Sequence, residues 1–149
     1  MPVDPADHAA ALRQYAAGVV LLTVRDDIDD VGTTVTSLMS VSADPPLVAV
    51  GLAAGQAIVA SRFSSAGRPS ARHLLESVPW RRAPVSDAIV LDGALAALDC
   101  RVDSVVPAGS HVLVLLSVEG VPVLAEGGEP LVRLRGRWTD GTGSPLRRP

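Results

Sequence analysis

The stretch Gly32-Thr33-Thr34-Val35-Thr36-Ser37-Leu38-Met39-Ser40-Val41-Ser42-Ala43-Asp44-Pro45-Pro46-Leu47-Val48 decides how this chain is read. Its first part is β-branched and reads, from Val31 to Ser37, as a strand. The Pro45-Pro46 pair marks a turn, and Leu47-Val48-Ala49-Val50-Gly51-Leu52 follows as a short, apolar, buried strand. Upstream, Val19 to Val24 is another short apolar run of β-branched character. Asp26-Asp27-Ile28-Asp29-Asp30 is an acidic loop between the two.

Working outward, Asp4-Pro5-Ala6-Asp7 opens a helix. Asp4 suits the cap, Pro5 the first helical position, and Asp7 the positive end of the helix dipole. The helix is expected to run through Ala17 and stop at Gly18. Ala57–Ser61 reads either as a short strand or as a helix start, and Ser70 to Ser77 reads as a short helix capped by Ser70. From Ala88 the pattern is β again. Leu98, Cys100 and Val102 alternate with Asp99, Arg101 and Asp103, which predicts a strand with the first set inward. Pro107-Ala108-Gly109-Ser110 predicts a turn and His111–Val118 a strand. Leu131–Trp138 reads as a last strand with Arg133, Arg135 and Arg137 on one face. Asp140–Pro149 reads as a disordered tail, leaving one domain over residues 1–139. Six or seven strands at this spacing favour a closed barrel, which removes exposed edges.

Composition narrows the function classes. The 149 residues are 48% hydrophobic and 19% charged, with a net charge of −3. That is a single folded domain without a nucleic-acid or membrane-binding footprint. All 13 basic residues are Arg, a pattern read as the codon bias of a GC-rich genome rather than chemistry. One Cys and three scattered His (His8, His73, His111) predict neither a disulfide nor a metal site. No apolar run reaches membrane-helix length, and the acidic start Met1-Pro2-Val3-Asp4 is unlike a secretory signal, so a cytoplasmic location is expected. No phosphate-binding, dinucleotide, hydrolase-elbow or zinc-protease motif occurs.

Four segments in order resemble the flavin reductase-like family of FMN-binding split barrels. They are Arg13–Thr23, the Gly32–Val48 stretch, Leu91–Val102 and Gly109-Ser110-His111; Arg135-Gly136-Arg137-Trp138 is similar to the family's closing Arg-Gly-Arg-Tyr. The resemblance implies an all-β, Greek-key split β-barrel with one or two short helices, the N-terminal one first. It implies a homodimer that uses NADH or NADPH to reduce FMN or FAD and supplies reduced flavin to a partner flavin-dependent monooxygenase. On this chain the implied flavin-binding residues are Thr34, Val35, Thr36, Ser37, Gly109, Arg135 and Arg137, and His111 is the implied catalytic residue. The residue types suit that chemistry. Strand-end main chain and hydroxyls can meet a flavin ring edge, His can donate to it, and Arg can hold a phosphate. The family's Asp before the His is Ser110 here. The sequence also departs between Leu52 and Trp80, where the family's Ser-x-Thr helix start, its phosphate site, is missing. Either Ala57–Ser61 survives as a barrel strand, the preferred alignment, or Arg62-Phe63-Ser64-Ser65 matches a later helix. The alternative function is a flavin-free barrel of the same fold that binds an apolar small molecule or catalyses a non-redox step such as a cyclisation.

Overall fold

A computed structural model describes residues 1–25, 29–53, 70–142 and 144. The expected strand at Ala57–Ser61 and the alternative match at 62–65 lie outside the described residues. Asp4 caps the first helix, α1 (Pro5–Leu12), by accepting from Ala6 N at 2.7 Å. The helix stops at Leu12, five residues before the expected end. Ala17-Gly18 is drawn into a sheet as β1, whose register pairs Ala17 with Arg133 and Gly18 with Val132. Tertiary pairing outweighs the helix propensity of the alanines here.

The rest is β, a split barrel whose strands pair antiparallel throughout. β2 (Val20–Arg25) pairs with β3 (Asp30–Val35). β4 (Met39–Ala43), β5 (Pro46–Ala53), β9 (His111–Leu124) and β8 (Ala96–Ala108) form a four-stranded sheet in the order β4-β5-β9-β8. β6 (Trp80–Arg82) pairs with β7 (Ile89–Leu91), and β10 (Val132–Leu134) sits between β1 and β11 (Arg137–Thr139). The short helix α2 (Ala71–Leu74) packs on β3, its Ala71 methyl 3.5 Å from where a Cβ on Gly32 would lie. The core is built from Val35, Val50, Leu52 and Val114, with Val20, Leu22, Val112 and Leu116 packed against it. It therefore lies between the β2–β3 pair and one face of β5–β9. Thr23 Oγ1 donates to Ile89 O at 2.7 Å and ties β2 to β7. No described helix is long and apolar enough to cross a membrane.

Four expectations are corrected. Ser70 precedes α2, but its hydroxyl makes no cap; it donates to Asp29 Oδ1 at 2.8 Å instead, and the helix is one turn rather than two. The turn expected at Pro107–Ser110 is only Gly109-Ser110, because β8 continues to Ala108, which pairs with His111. Pro107 is tolerated because β8 is an edge of its sheet among the described strands. The alternation in β8 also differs from the expected one. Asp99 is the buried residue, at 2% exposure, while Leu98 and Val102 face outward. Register shifts between Ala97 and Asp99, and between Asp99 and Cys100, turn the strand over. Asp99 accepts from Val85 N at 2.7 Å and Ser86 N at 3.1 Å, so a side chain expected in solvent holds the loop before β7.

The fourth correction concerns the arginines. The single strand expected over 131–138 is a hairpin, β10–β11, turned by Arg135 (φ 51°) and Gly136 (φ 77°). Two successive positive φ angles mark the tight turn that suits twisted strands, and Gly supplies the second at no steric cost. Arg133 therefore shares a face with its partner Trp138, the guanidinium carbon 5.1 Å from the ring centre. Arg137 pairs with Leu134 on the opposite face, and Arg135 sits in the turn. The three do not form one cationic face.

Asp140 closes the described end of the chain: its Oδ1 accepts from Thr142 N, Thr142 Oγ1 and Ser144 N at 2.6–2.9 Å.

Candidate functional site

The candidate site forms at the C-terminal end of β5. Along β5 the even residues Val48, Val50 and Leu52 face the core, and Ala49, Gly51 and Ala53 face the other way. Directly paired residues of an antiparallel sheet share a face. Gly51 pairs with Leu113, and Ala53 pairs with His111, which pairs with Ala108. His111 thus stands on the Gly51 face, at the rim of the sheet. The Gly109-Ser110 turn places it there. Gly109 takes φ 61°, which an L side chain seldom adopts. Ser110 Oγ lies 3.0 Å from Nδ1 of His111.

The Thr34–Ser37 segment reaches the same end of β5. Thr34 pairs with Leu21 and is exposed, Val35 pairs with Val20 and enters the core, and β3 ends there. Thr36, Ser37 and Leu38 cross to β4 outside both strands and are exposed. Ser37 Oγ donates to Gly51 O at 2.8 Å and accepts from Gly51 N at 3.1 Å. A side chain at Gly51 would lie over this contact, since its Cβ would be 3.5 Å from Ser37 Cβ. Two residues of extended strand separate Gly51 from Ala53, about 7 Å. The structure therefore places Ser37, on the β4 side of β5, and His111 and Gly109, on the β9 side, at the same end and on the same face of the sheet, with Thr36 exposed next to Ser37. Val35 contributes packing beneath them rather than a contact group.

The remaining three sequence-derived residues lie elsewhere, Thr34 on the outward face of β3 beside Leu21. Arg135 N donates to Arg13 O at 3.0 Å, and Arg135 Nε donates to Gln14 Oε1 at 3.0 Å, so this arginine is held against the chain that follows α1. Arg137 is exposed on β11.

An ionic cluster that the sequence did not single out anchors the opposite end of β3. Asp30, only 1% exposed, takes two bonds from the Arg82 guanidinium, to Oδ1 and, at 2.8 Å, to Oδ2; Arg72 Nε lies 2.8 Å from Oδ2. The hydrogen bond from Arg82 to Asp30 raises the arginine's pKa above its ordinary value. Asp29 accepts from Ser70, Asp30 N and Arg72, and these bonds, that from Ser70 foremost, hold its carboxyl below the ordinary carboxylate value. The cluster joins β3, α2 and β6. Nothing in the period-2 pattern marked it, because a buried Asp reads as a loop residue when its arginines are 42 and 52 positions away.

Cys100 has a structural character. Burial, then the charges of Asp99 and Glu119, push its thiol from 9.0 up to about 11. At pH 8 the thiolate fraction is then roughly a hundredfold below that of a free thiol. Iodoacetamide should modify the folded protein about a hundredfold more slowly than the urea-unfolded chain, and equal rates would contradict the assignment.

The fold is a split barrel of the flavin reductase type, and sequence comparison agrees. The chain belongs to the flavin reductase like domain family, whose model matches residues 12–54 and 51–142. The two matched pieces meet at the end of β5, where the sequence loses the Ser-x-Thr element. The reductase component of 4-hydroxyphenylacetate 3-monooxygenase from Thermus thermophilus is 34% identical over 143 residues, spanning 82% of this chain and 87% of the relative. The NADH-dependent FMN reductase AsuE2 of Streptomyces nodosus subsp. asukaensis is 32% identical over 150 residues, spanning 87% and 80%. Among solved structures, BorF, the flavin reductase component of a bacterial two-component tryptophan halogenase, superposes with a TM-score of 0.75 at 23% identity, covering 97% of this chain and all of that one. HpaC, a flavin reductase solved with NADP+, gives 0.78 at 16% identity over 92% and 97%. At these identities the two structures speak for the fold.

Proposed function

We propose that this chain is an NAD(P)H-dependent flavin reductase that binds FMN or FAD loosely, as a substrate, and supplies the reduced flavin to a partner monooxygenase. The observation that supports the reading is that Ser37, bonded to Gly51, and His111, paired with Ala53, stand on the same face at the same end of β5 in a chain of this family. The residues present fit a flavin ring: exposed main chain and hydroxyls outside the strand ladders, a shallow floor of Gly51 and Ala53, and an imidazole at the rim. When bound, the nicotinamide and flavin supply the hydride chemistry. Thr36 and Ser37 orient the ring, and His111 holds a hydrogen-bond donor beside it. Ser37 is itself fixed by its two bonds to Gly51, so the segment is set before ligand arrives. Loose binding suits a protein that must release its product.

The working form in this reading is a cytoplasmic homodimer. Both edges of the four-stranded sheet expose apolar side chains: Met39 and Val41 on β4, and Val102, Val105 and Val106 on β8. Long apolar edges are a liability unless covered, and a second copy covers them. Sedimentation should give a dimer burying more than about 1,000 Å² in total. Val105→Glu should shift it toward monomer, and a monomer at all concentrations of the unaltered chain would overturn the assembly.

The activity test is NADH and NADPH oxidation with and without added FMN or FAD, beside fluorescence quenching of each flavin. Oxidation that requires flavin supports the proposal. Absence of both binding and oxidation would reject it.

A further inference from the structure

The His111 ring makes one side-chain hydrogen bond, at Nδ1. Its Nδ1 lies 3.0 Å from Ser110 Oγ, and among the described residues the ring has no other side-chain partner. The contact is built into the hairpin. Ala108 and His111 are paired, so Gly109-Ser110 is a two-residue connection that sets Ser110 next to the ring that follows it.

We infer that Ser110 is a positioning residue that sets the tautomer of His111: its hydroxyl donates to Nδ1, so the neutral ring keeps its proton on Nε2. A hydroxyl can both donate and accept, whereas a carboxylate only accepts. An aspartate at position 110 would draw the proton onto Nδ1 and leave Nε2 of a neutral ring as an acceptor. Serine reverses that polarity. The neutral imidazole then presents a donor at the ring corner remote from the turn, without first acquiring a charge. The Nε2–H tautomer is also the one that neutral histidine side chains favour intrinsically, so the serine reinforces an existing preference. The catalytic consequence rests on the flavin-reductase reading above, because a donor at this rim is useful only where negative charge develops beside it. The tautomer itself does not depend on that reading.

The experiment separates the two. Protein labelled with ¹⁵N-histidine is examined above pH 8.5, without flavin, by correlating the carbon-bound ring protons with the ring nitrogens. Loss of one set of signals in His111→Gln assigns the ring. The unaltered protein should show a bare Nδ1 and a protonated Nε2. Ser110→Ala should move both nitrogens toward the averaged shifts of mixed tautomers, Ser110→Thr should restore them, and Ser110→Asp should move the proton to Nδ1. A protonated Nδ1 in the unaltered protein, or no change in Ser110→Ala, overturns the proposal. In steady-state assays at saturating flavin, Ser110→Ala should lower kcat by no more than about twofold, because the Nε2–H form still predominates, and Ser110→Asp should lower it further, toward the roughly hundredfold loss on deleting a donor outright, with little change in the KM for NADH. Ser110→Thr should recover it. If no flavin-dependent oxidation exists, the reductase reading fails, and the spectra still decide the role of Ser110.

Discussion

Asp30→Ala is expected to destabilise the fold by about 3–5 kcal/mol, the cost of breaking a buried ion pair from one side. Asp30 is 1% exposed, and it is the shared acceptor of Arg82 and Arg72. Removing it leaves the Arg82 guanidinium, whose side chain is 27% exposed, with Asp87 as its other oxygen acceptor among the described residues. For a chain of this size the loss lowers Tm by roughly 10 °C. Arg72→Ala should cost less, because that side chain is half exposed and its bonds to Asp29 and Asp30 are partly screened. The double change Asp30→Leu with Arg82→Met should recover part of the loss, since two matched apolar groups need no solvation. Urea unfolding of the four proteins measures all of this, and an Asp30→Ala variant within about 1 kcal/mol of the parent would sink the argument. Acid adds a signed check. The Asp29 carboxyl is held below 3.8 by its bonds in the folded state. Its contribution is therefore complete above that value and lost as pH falls through the lower folded value. Ser70→Ala removes the foremost of those bonds, so the acid unfolding transition should move to higher pH.

Local chemistry decided how much of this was legible. The strand at Leu47–Leu52 was readable because both faces of β5 are covered: Ala49 is as buried as Val50, and an uninterrupted apolar run this short, closed off by prolines, fits a buried strand best. The Asp4 cap was readable because capping is a contact two residues long. Asp99 was misassigned because a bulge changes face without changing composition, and its partners, the N–H groups of Val85 and Ser86, carry no side-chain signal. Arg133, Arg135 and Arg137 were misassigned together because one glycine with positive φ converts a strand into a hairpin. At the rim, the motif residues of the loop after β3 and of the β8–β9 turn stand far apart in the sequence. Their juxtaposition was not legible, since it depends on Ser37 finding Gly51 fourteen positions away and on the pairing of Ala53 with His111.

FMN and riboflavin should bind this chain within about tenfold of each other, or about 1.4 kcal/mol. The two ligands differ by one phosphate, and a phosphate grip of two or three charge-assisted hydrogen bonds would contribute about 1.5–3 kcal/mol for each. The sequence has no Ser-x-Thr after β5, and the family match breaks there. The arginines do not replace the lost element as a group. Arg135 is engaged with Gln14, Arg133 stacks on Trp138, and Arg137 sits on the opposite face of the hairpin. Binding should rest on the ring, and Gly51 tests that directly. Gly51→Ala places a methyl at ordinary contact distance, 3.5 Å from Ser37 Cβ, and should be tolerated. Gly51→Val extends two further methyls over the same floor, displaces the Ser37 hydroxyl from its paired bonds, and should weaken both ligands equally, by about tenfold or more. Fluorescence titration of FMN and riboflavin into the parent and both variants, with far-UV dichroism as the check on folding, gives the full set. A preference for FMN beyond about a hundredfold would reveal a phosphate grip outside this rim. Unchanged affinity in a folded Gly51→Val variant would move the ring away from β5, and with it the roles given to Thr36, Ser37 and His111.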